Sequence, residues 1–266
     1  MSDTFLMKYK IEPQYLTHYA GVEEQRRQKV LIPKGQVRFG VNHDTGNAGS
    51  TAQNNVDFYE RTAKGNYPAA HIFVDDKHII ECVPMLTAAP EKACHVLYNV
   101  KTDNAMFGED ANDGAIGVEL CFGDGIDFEE AYKRYVWVQA YAAWKLNFPP
   151  TAFAGHFQLD PARKTDPVNA LKRYGKTYDQ LRKDIVLEYH ACLNKNYGKE
   201  EEDMYEPLKY EKWQWAMLLT VMTDSNKKGQ IDSIWVAKVK EEKLTPADLL
   251  FLNTILDARI DRKVSV

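Results

Sequence analysis

The stretch VRFGVNH, residues 37–43, alternates large apolar side chains with small or polar ones. Val37, Phe39 and Val41 occupy every second position, which is the period of a strand that buries one face. The stretch therefore predicts a half-buried strand that ends at His43. The elements that surround this strand, and the residues that contact its terminal histidine, have to be predicted from the rest of the chain.

Outward from this strand, patterns typical of helices and strands alternate along the first 195 residues. Helices are predicted where a capping residue precedes an apolar face, and strands where short apolar runs lie between turn residues. In chain order they are a helix at 50–65, a strand pair at 69–84 that turns at 75–77, a strand at 115–122, a helix that opens at 127 and closes at 149–150, a strand at 151–156 and a helix at 177–192. This order predicts an α/β fold with a mixed central β-sheet flanked by helices. Residues 1–36 are predicted to be a lead-in with little regular structure.

The composition changes near residue 196. The run GKEEED at 198–203 is typical of a solvated linker. After it, residues 210–222 predict one helix, and residues 243–260 predict another with Thr245 at its N-cap and Pro246 in its first turn. We therefore predict a main domain at 1–195 with its core at 35–195, a linker at 196–210 and a small helix-rich C-terminal module at 211–266. The state of residues 225–243 stays open.

Bulk composition excludes several classes of protein. The chain has 266 residues, 44% of them hydrophobic and 27% charged, and a net charge of −4, so no general basic surface for nucleic acid is expected. No apolar run reaches the roughly 20 residues that a membrane span needs, and the first residues do not resemble a signal peptide. We expect a protein that is made in the cytoplasm and binds neither nucleic acid nor membrane. The four cysteines contain no C-x-x-C pair and are expected to be reduced.

Two of the seven histidines end strand-like runs. His43 closes the first strand, and His156 follows the short run TAFAG, so both are expected at one edge of the sheet. Asp166 lies a short loop later, in AGHFQLDPARKTDP at 154–167. Two imidazoles and one carboxylate form a three-ligand zinc set that leaves the fourth tetrahedral position for water, as in a catalytic site. The alternative at this point is that each histidine is an ordinary core or surface residue.

Four motifs carry a family resemblance. VNHDTGN, AAHIFVDD, IGVELCF and GHFQLDPARKTDP, in this order, resemble the zinc-dependent N-acetylmuramoyl-L-alanine amidases of the type-2 group. That group includes phage endolysins, bacterial autolysins, cytosolic amidases that recycle muropeptides, and peptidoglycan recognition proteins. The resemblance covers residues 35–170 and extends less closely to 195. It implies the type-2 amidase fold, Zn2+ as cofactor, bacterial peptidoglycan as partner, and hydrolysis of the amide between N-acetylmuramic acid and L-alanine.

The resemblance also implies roles for single residues. The positions of His43, His156 and Asp166 match the three zinc ligands of the family. Glu119 of IGVEL matches an acid that many members place near the reacting water, and Lys164 of RKTD matches a lysine that faces the scissile carbonyl. The resemblance therefore implies Glu119 and Lys164 as catalytic residues.

Substrate contacts are implied for His71, His95 and Asn47, which fall in or near the motifs that line the family's cleft. One position departs from the pattern. Some members carry a tyrosine immediately before the histidine that matches His71, and this chain has Ala70 there. A tyrosine-assisted mechanism is therefore not implied, and Glu119 becomes the favoured proton carrier.

Two rival interpretations of the third motif remain open. Glu119, a charged residue in an apolar strand, is alternatively a structural carboxylate paired with a nearby arginine or lysine. Cys121 lies two residues away on the same strand face and would suit a cysteine hydrolase, provided that a basic partner lies beside it.

The biological setting has several candidates. A phage endolysin would combine an amidase domain at 1–195 with a wall-binding module, and would act on the cell wall after release from the host cytoplasm. The aromatic residues Trp213, Trp215 and Trp235 are candidates for stacking on wall glycans, or are core residues of the module. The alternatives are a cytosolic amidase that recycles muropeptides and a non-catalytic peptidoglycan-binding protein. The C-terminal module is alternatively a homodimerisation unit.

Overall fold

Six strands form one mixed sheet in the computed structural model, which describes residues 4–65, 67–193 and 206–262. In chain order they are β1 (Glu12–Pro13), β2 (Phe39–Asp44), β3 (Ile72–Val74), β4 (Ile79–Glu81), β5 (Ala115–Leu120) and β6 (Phe153–Gly155). Across the sheet the order is β1-β4-β3-β5-β2-β6. Strand β3 pairs antiparallel with β4, whereas the other pairs are parallel. The predicted mixed α/β sheet is confirmed.

Helices cover the sheet and form the C-terminal end of the described chain. They are α1 (Ala52–Arg61), α2 (Thr102–Phe107), α3 (Ala111–Gly114), α4 (Phe128–Leu146), α5 (His156–Leu159), α6 (Val168–Arg173), α7 (Tyr178–Leu193), α8 (Lys212–Lys227), α9 (Ser233–Lys240) and α10 (Pro246–Arg262). The long helices α1, α4 and α7 correspond to predicted ones. The short helices α2, α3, α5 and α6 were not predicted, because four to six residues are too few to show helical periodicity.

Local capping explains where the long helices begin. The side chain of Asp127 accepts a hydrogen bond from the backbone of Glu130 at the start of α4, as its spacing predicted. Helix α1 begins one residue later than the predicted cap at Ser50, because Thr51 is the residue that caps it. The lead-in has only the short strand β1, as predicted, yet it covers the core through buried side chains such as Phe5 and Leu16.

Parallel pairing brings three chain segments to one edge of the sheet. In the β2–β5 register His43 lies opposite Glu119, and in the β2–β6 register Asn42 lies opposite Gly155. His156 is the next residue after β6. Because the carboxyl ends of parallel strands meet at the same edge, these side chains share one crevice, which is where open α/β sheets bind ligands.

The two faces of β2 have different neighbours. Phe39 and Val41 pack in a small apolar cluster with α3 and α5 on one face, and His43 shares that face because strand side chains alternate. Asn42 points to the other face, where it accepts a hydrogen bond from Tyr178 of α7 and donates one to Gln139 of α4. The polar end of β2 is thus anchored to two helices.

The C-terminal helices α8, α9 and α10 share an apolar core of their own, and α9 forms within the segment whose state the sequence left open. Val186 of α7 belongs to this core, and Lys183 of α7 pairs with the buried Asp248 at 2.7 Å. Thr245 caps α10 as predicted, accepting from the backbone of Asp248. Residues 196–205 of the predicted linker lie outside the described residues. Through Val186 and the Lys183–Asp248 ion pair, the C-terminal helices pack against α7.

The three tryptophans of the module differ in exposure. Trp215 and Trp235 are 6% and 9% exposed and belong to the core of the module, so stacking on glycans is wrong for both. Trp213 is 63% exposed on the outer face of α8. Within the described residues, no helix is both long and apolar enough to cross a bilayer.

Tyr135 of α4 contacts the backbone of both β2 and β5 near the ends of these strands. Its hydroxyl donates to the backbone carbonyl of His43 at 3.0 Å and lies 3.3 Å from that of Val118. Tyr135 is fully buried, so its hydroxyl has no access to water in exchange for these carbonyls. The contact holds the ends of β2 and β5 against α4.

We expect Tyr135→Phe to lower the free energy of unfolding by about 1–2 kcal/mol, because the ring still packs while two buried carbonyls lose a donor. Urea unfolding followed by circular dichroism measures the change. Tyr210→Phe, at an exposed position, is the matched control and should change stability by less than about 0.5 kcal/mol. A loss for Tyr135→Phe as small as that of the control would show that the hydroxyl does not hold the strands.

Candidate active site and metal centre

Three side chains converge at the carboxyl edge of the sheet. Nδ1 of His43 lies 3.0 Å from Oδ2 of Asp166, and Nδ1 of His156 lies 3.1 Å from the same oxygen. The two imidazole rings meet edge to face, with their centroids 4.7 Å apart. The predicted ligand residues are therefore neighbours in space although Asp166 is far from His43 in sequence.

The loop after β6 folds back on itself to deliver Asp166. The backbone N–H of Phe157 donates to the carbonyl of Asp166 at 3.1 Å, which places the aspartate beside His156. Within the loop, the backbone N–H groups of Arg163 and Lys164 donate to the carbonyl of Asp160. These bonds hold the loop in the conformation that brings Asp166 beside the two histidines.

The protonation states suit a cation. Burial lowers the pKa of His43 to about 4, although Asp166 beside it acts in the opposite direction. Burial alone would raise the pKa of Asp166, but its hydrogen bonds with His156 and His43 outweigh burial and hold that pKa well below its usual range. At neutral pH the site therefore presents a carboxylate and, at His43, a neutral imidazole, which are the forms that bind metals.

The donor set fits a zinc ion. The ligand atoms of His43, His156 and Asp166 all lie within 4.8 Å of one another, close enough for one ion with bonds of about 2.0–2.2 Å. Imidazole nitrogen and carboxylate oxygen are ordinary zinc ligands, and three protein ligands leave a position for water. The residues present thus fit the metal that the resemblance implies.

Glu119 lies beside this cluster, opposite His43 in the register of β2 and β5. Its Oε2 atom is buried and has no hydrogen-bond partner among the described residues. Burial, reinforced by the charges of Asp166 and Asp44, raises the pKa of Glu119 well above its ordinary value, and Lys164 opposes this only in part. The structure gives Glu119 no salt bridge within the described residues, so the alternative of a paired structural carboxylate is not supported.

Lys164 lines the cleft of about 400 Å³ that opens over the cluster, together with Thr45, Arg163 and Asn169. Its side chain is half-buried and forms no ion pair within the part of the chain that the structure describes. An ammonium group without a carboxylate partner remains available for an oxygen of a bound molecule. The placement of Lys164 is consistent with its predicted contact to a substrate carbonyl.

A second groove of about 370 Å³ continues from the first. Asn47 lines this groove with Ser50 and Arg61, whereas His95 lines the first cleft. Glu119 lines both, so it marks the point where the two grooves meet. The structure therefore places Asn47 at the second groove, and its contact to substrate stays a prediction.

His71 does not lie where a substrate contact needs it. Its side chain is fully buried, its Nδ1 accepts from the backbone N–H of Gly117 at 2.9 Å, and its Nε2 lies 2.9 Å from the carbonyl of Glu91. Both ring nitrogens are thus used by the backbone. His71 lines neither of the two grooves, so the structure does not bring it to the cleft where a substrate contact was predicted.

The sequence did not identify Tyr59 as a cleft residue. This tyrosine of α1 lines both grooves, with the guanidinium of Arg26 stacked 3.9 Å from its ring centroid and Phe73 against its edge. The sequence predicts that Tyr59 lies in a helix, but an aromatic residue in a helix is more often part of the core. Only the packing of α1 against β3 shows that Tyr59 reaches the cleft.

Cys121 is not placed as a nucleophile. It is buried, and its sulfur accepts a hydrogen bond from the side-chain amide of Asn55 at 3.7 Å, which is no base. Burial raises the pKa of the Cys121 thiol well above its ordinary value, so the thiolate is disfavoured. All four cysteines are free, as expected.

Solved structures with the same architecture include a mutant endolysin from Bacillus subtilis, the catalytic domain of XlyA and the Staphylococcus aureus hydrolase AmiA in complex with its ligand. The first is 18% identical with a TM-score of 0.50 and covers 66% of this chain and 98% of that chain. XlyA is 20% identical with a TM-score of 0.50, covering 66% and 99%. AmiA is 23% identical with a TM-score of 0.52, covering 70% and 86%. At these identities the similarity shows the fold.

A match to a family model assigns the chain to a protein family, which the structural similarity alone does not do. The sequence model for N-acetylmuramoyl-L-alanine amidases (Amidase_2) matches residues 33–169. Comparison with curated proteins gives no match to the chain. The matched segment includes β2 to β6 and with them the two histidines, Glu119 and Asp166. Because this segment is more than half of the chain, the protein belongs to the Amidase_2 family of N-acetylmuramoyl-L-alanine amidases.

Proposed function

We propose that this chain is a phage endolysin that hydrolyses the amide between N-acetylmuramic acid and L-alanine with a zinc-activated water. Membership of the amidase family supports peptidoglycan as the substrate. The observation that best supports this reaction is that an unpartnered carboxylate oxygen of Glu119 lies beside the convergent ligand atoms of His43, His156 and Asp166.

His43, His156 and Asp166 would hold the ion at the edge of the sheet. When bound, Zn2+ supplies a Lewis acid that lowers the pKa of a water molecule to about 7 and polarises an amide carbonyl. The hydrogen-bonded loop orients Asp166 towards the two histidines, and a ligand held in place by its surroundings suits a metal site.

Glu119 is the proton carrier in this proposal. It takes a proton from the attacking water and returns it to the nitrogen, which leaves as the amine of L-alanine. Its pKa is raised by burial and by the nearby carboxylates of Asp166 and Asp44, and a raised pKa suits a group that must hold the proton between the two transfers. The free Oε2 atom is the acceptor.

Lys164 stabilises the oxygen of the scissile carbonyl. Attack on an amide places negative charge on that oxygen, and a cation aimed at the developing charge lowers the barrier. Lys164 lines the same cleft as Glu119 and His156, which supports a contact between its ammonium group and that oxygen. The two grooves that meet at Glu119 suit a branched substrate, with a glycan arm and a peptide arm joined at the scissile bond.

The C-terminal module supports action on an intact wall. Trp213, Met217 and Val221 are spaced four residues apart along α8 and are all more than half exposed, so they form one apolar stripe. An exposed tryptophan offers a face on which a sugar ring stacks. A soluble muropeptide needs no such surface, so the stripe favours the endolysin over a recycling amidase. Alternatively, the stripe is a homodimer contact, which the solution mass distinguishes.

A non-catalytic peptidoglycan-binding role is less well supported. A protein that only binds has no need for three convergent ligands and an unpartnered carboxylate, whose burial destabilises the fold. As an endolysin, the protein would act on the cell wall after its release from the host cytoplasm. The wall is thus the proposed place of action.

Replacing the proton carrier tests the mechanism. We expect Glu119→Gln to retain zinc, because Glu119 is not a ligand, and to lower turnover on purified cell walls by roughly 10²–10⁴-fold. Zinc content by mass spectrometry and release of L-alanine amino groups are the two measurements. Glu60→Gln, on the outer side of α1, is the matched control and should keep full turnover. Unchanged turnover of Glu119→Gln would remove this residue from the mechanism.

Metal removal tests the cofactor. We expect a chelator to abolish lysis of purified walls, measured as loss of turbidity, and added Zn2+ to restore it. Asp166→Asn should weaken zinc binding in a competition assay, because an amide lacks the charge that neutralises the ion. Lysis by metal-free protein would contradict the zinc mechanism. Zinc-dependent cleavage of soluble muropeptides without lysis of walls would support recycling instead.

The apolar stripe of α8 has its own test. We expect Trp213→Ala to weaken binding to purified walls by roughly 2- to 10-fold, the effect of losing an aromatic contact worth about 0.5–1.5 kcal/mol. Co-sedimentation of the full-length protein with walls measures the affinity, and Ile234→Ala, which removes an equally exposed apolar side chain from α9, is the control. Equal binding by both variants would exclude the tryptophan from wall recognition. A dimer that only Trp213→Ala dissociates would assign the stripe to self-association.

A further inference from the structure

The ring of His43 makes a polar contact on each side. Its Nδ1 faces Asp166 at 3.0 Å, and its Nε2 lies 3.0 Å from Nδ1 of His95. A neutral imidazole carries one proton, so a histidine that binds a metal through Nδ1 carries its proton on Nε2. That N–H needs an acceptor, and Nδ1 of His95 is in place to accept it.

We propose that His95 is a positioning residue for the metal site, which accepts a hydrogen bond from Nε2 of His43 and so holds its Nδ1 towards the ion. This inference rests on the proposed zinc site and adds a residue outside its ligand set. An acceptor behind a metal-binding histidine fixes the tautomer and the orientation of the ring, and its loss weakens metal binding by about 10- to 100-fold.

The backbone around His95 is held rigidly. The side-chain oxygen of Asn112 accepts from the backbone N–H groups of His95 and Val96 at 2.8 and 3.0 Å. The amide nitrogen of Asn112 donates to the carbonyl of Val96 at 2.7 Å. Asn112 is fully buried, so it clamps the segment that carries the imidazole. These bonds fix the backbone from which the His95 ring extends towards His43.

Gly117 of β5 provides the space for this ring. A Cβ atom at Gly117 would lie 2.8 Å from Cγ of His95 and 2.9 Å from its Nδ1, closer than side chains pack. The backbone N–H of Gly117 in turn donates to Nδ1 of the buried His71. Gly117 and Glu119 share one face of the strand, so the same strand positions the proton carrier and the ring behind His43.

Direct substrate contact explains the His95 ring less well. Its Nδ1 faces His43, and its Nε2 is buried without a partner in the described structure. Neither nitrogen is therefore free at the surface of the cleft, although His95 is among the residues that line it. His95 acts on the reaction through His43, and the two roles predict different measurements.

Two substitutions separate the acceptor from the ring. His95→Phe keeps an aromatic ring but removes the acceptor, whereas His95→Asn places an amide oxygen close to the position of Nδ1. We expect His95→Phe to weaken zinc binding by about 10- to 100-fold, measured with a competing chromophoric chelator, and His95→Asn to stay within about threefold of the unchanged protein. With saturating Zn2+, KM on wall fragments should change little in either variant.

Gly117→Ala provides a second measurement, because the added methyl group displaces the His95 ring without removing any functional group. It should weaken zinc binding in the same assay, with thermal unfolding of the metal-free proteins reporting on the fold. His78→Phe, at an exposed histidine paired with Glu12, is the matched control and should leave zinc binding unchanged.

The outcomes separate this inference from the proposed function. Unchanged zinc affinity in His95→Phe, together with a raised KM, would overturn the inference and assign the ring to substrate binding. Equal weakening in His95→Phe and His95→Asn would overturn it as well, because the ring would then act by packing alone. Failure of the unsubstituted protein to bind zinc would instead contradict the zinc site of the proposed function.

Discussion

Parallel pairing of β5, β2 and β6 is the constraint on which the rest of the site depends. It aligns the carboxyl ends of three strands that are far apart in sequence, so that His43 lies opposite Glu119 and His156 follows the strand on the other side. A shift of the β2 register by one residue would turn His43 to the helix-covered face and Asn42 to the cleft. Asn42 resists such a shift, because its buried amide is bonded to side chains of α4 and α7.

Much of this arrangement was predictable from local pattern. The alternation before His43 located β2, and Asp127 marked the start of α4, because both signals depend on neighbours within a few residues. The strand ends one residue later than predicted, at Asp44, and all of its residues are buried, so it is not the half-buried strand that the alternation predicted. The order of the predicted strands and helices indicated a mixed sheet. The candidate site residues came from the family resemblance, and the structure brings His43, His156 and Asp166 together in space.

The remaining features depend on contacts between distant segments, which no local pattern encodes. Motif position placed His71 with the cleft residues, yet the backbone of Gly117 and Glu91 occupies both of its nitrogens. Helical spacing placed Tyr59 on α1, but its contact with the cleft follows from how α1 lies against β3. The sequence left open whether Trp215 lies in the core or at the surface, because the neighbouring helices decide which face of α8 is buried.

Buried charge decides how the C-terminal helices are attached. Asp248 is almost fully buried, and the amines of Lys183 on α7 and Lys238 on α9 pair with its two oxygens at 2.7 and 2.8 Å. Burial raises the pKa of Asp248, but the two lysines outweigh it and leave that pKa below its usual value. Separating α7 from the module would remove one partner from a buried carboxylate, and breaking such a pair costs about 3–5 kcal/mol. Since Val186 of α7 also lies in the apolar core of α8, α9 and α10, an apolar contact and a buried ion pair together attach these helices to α7.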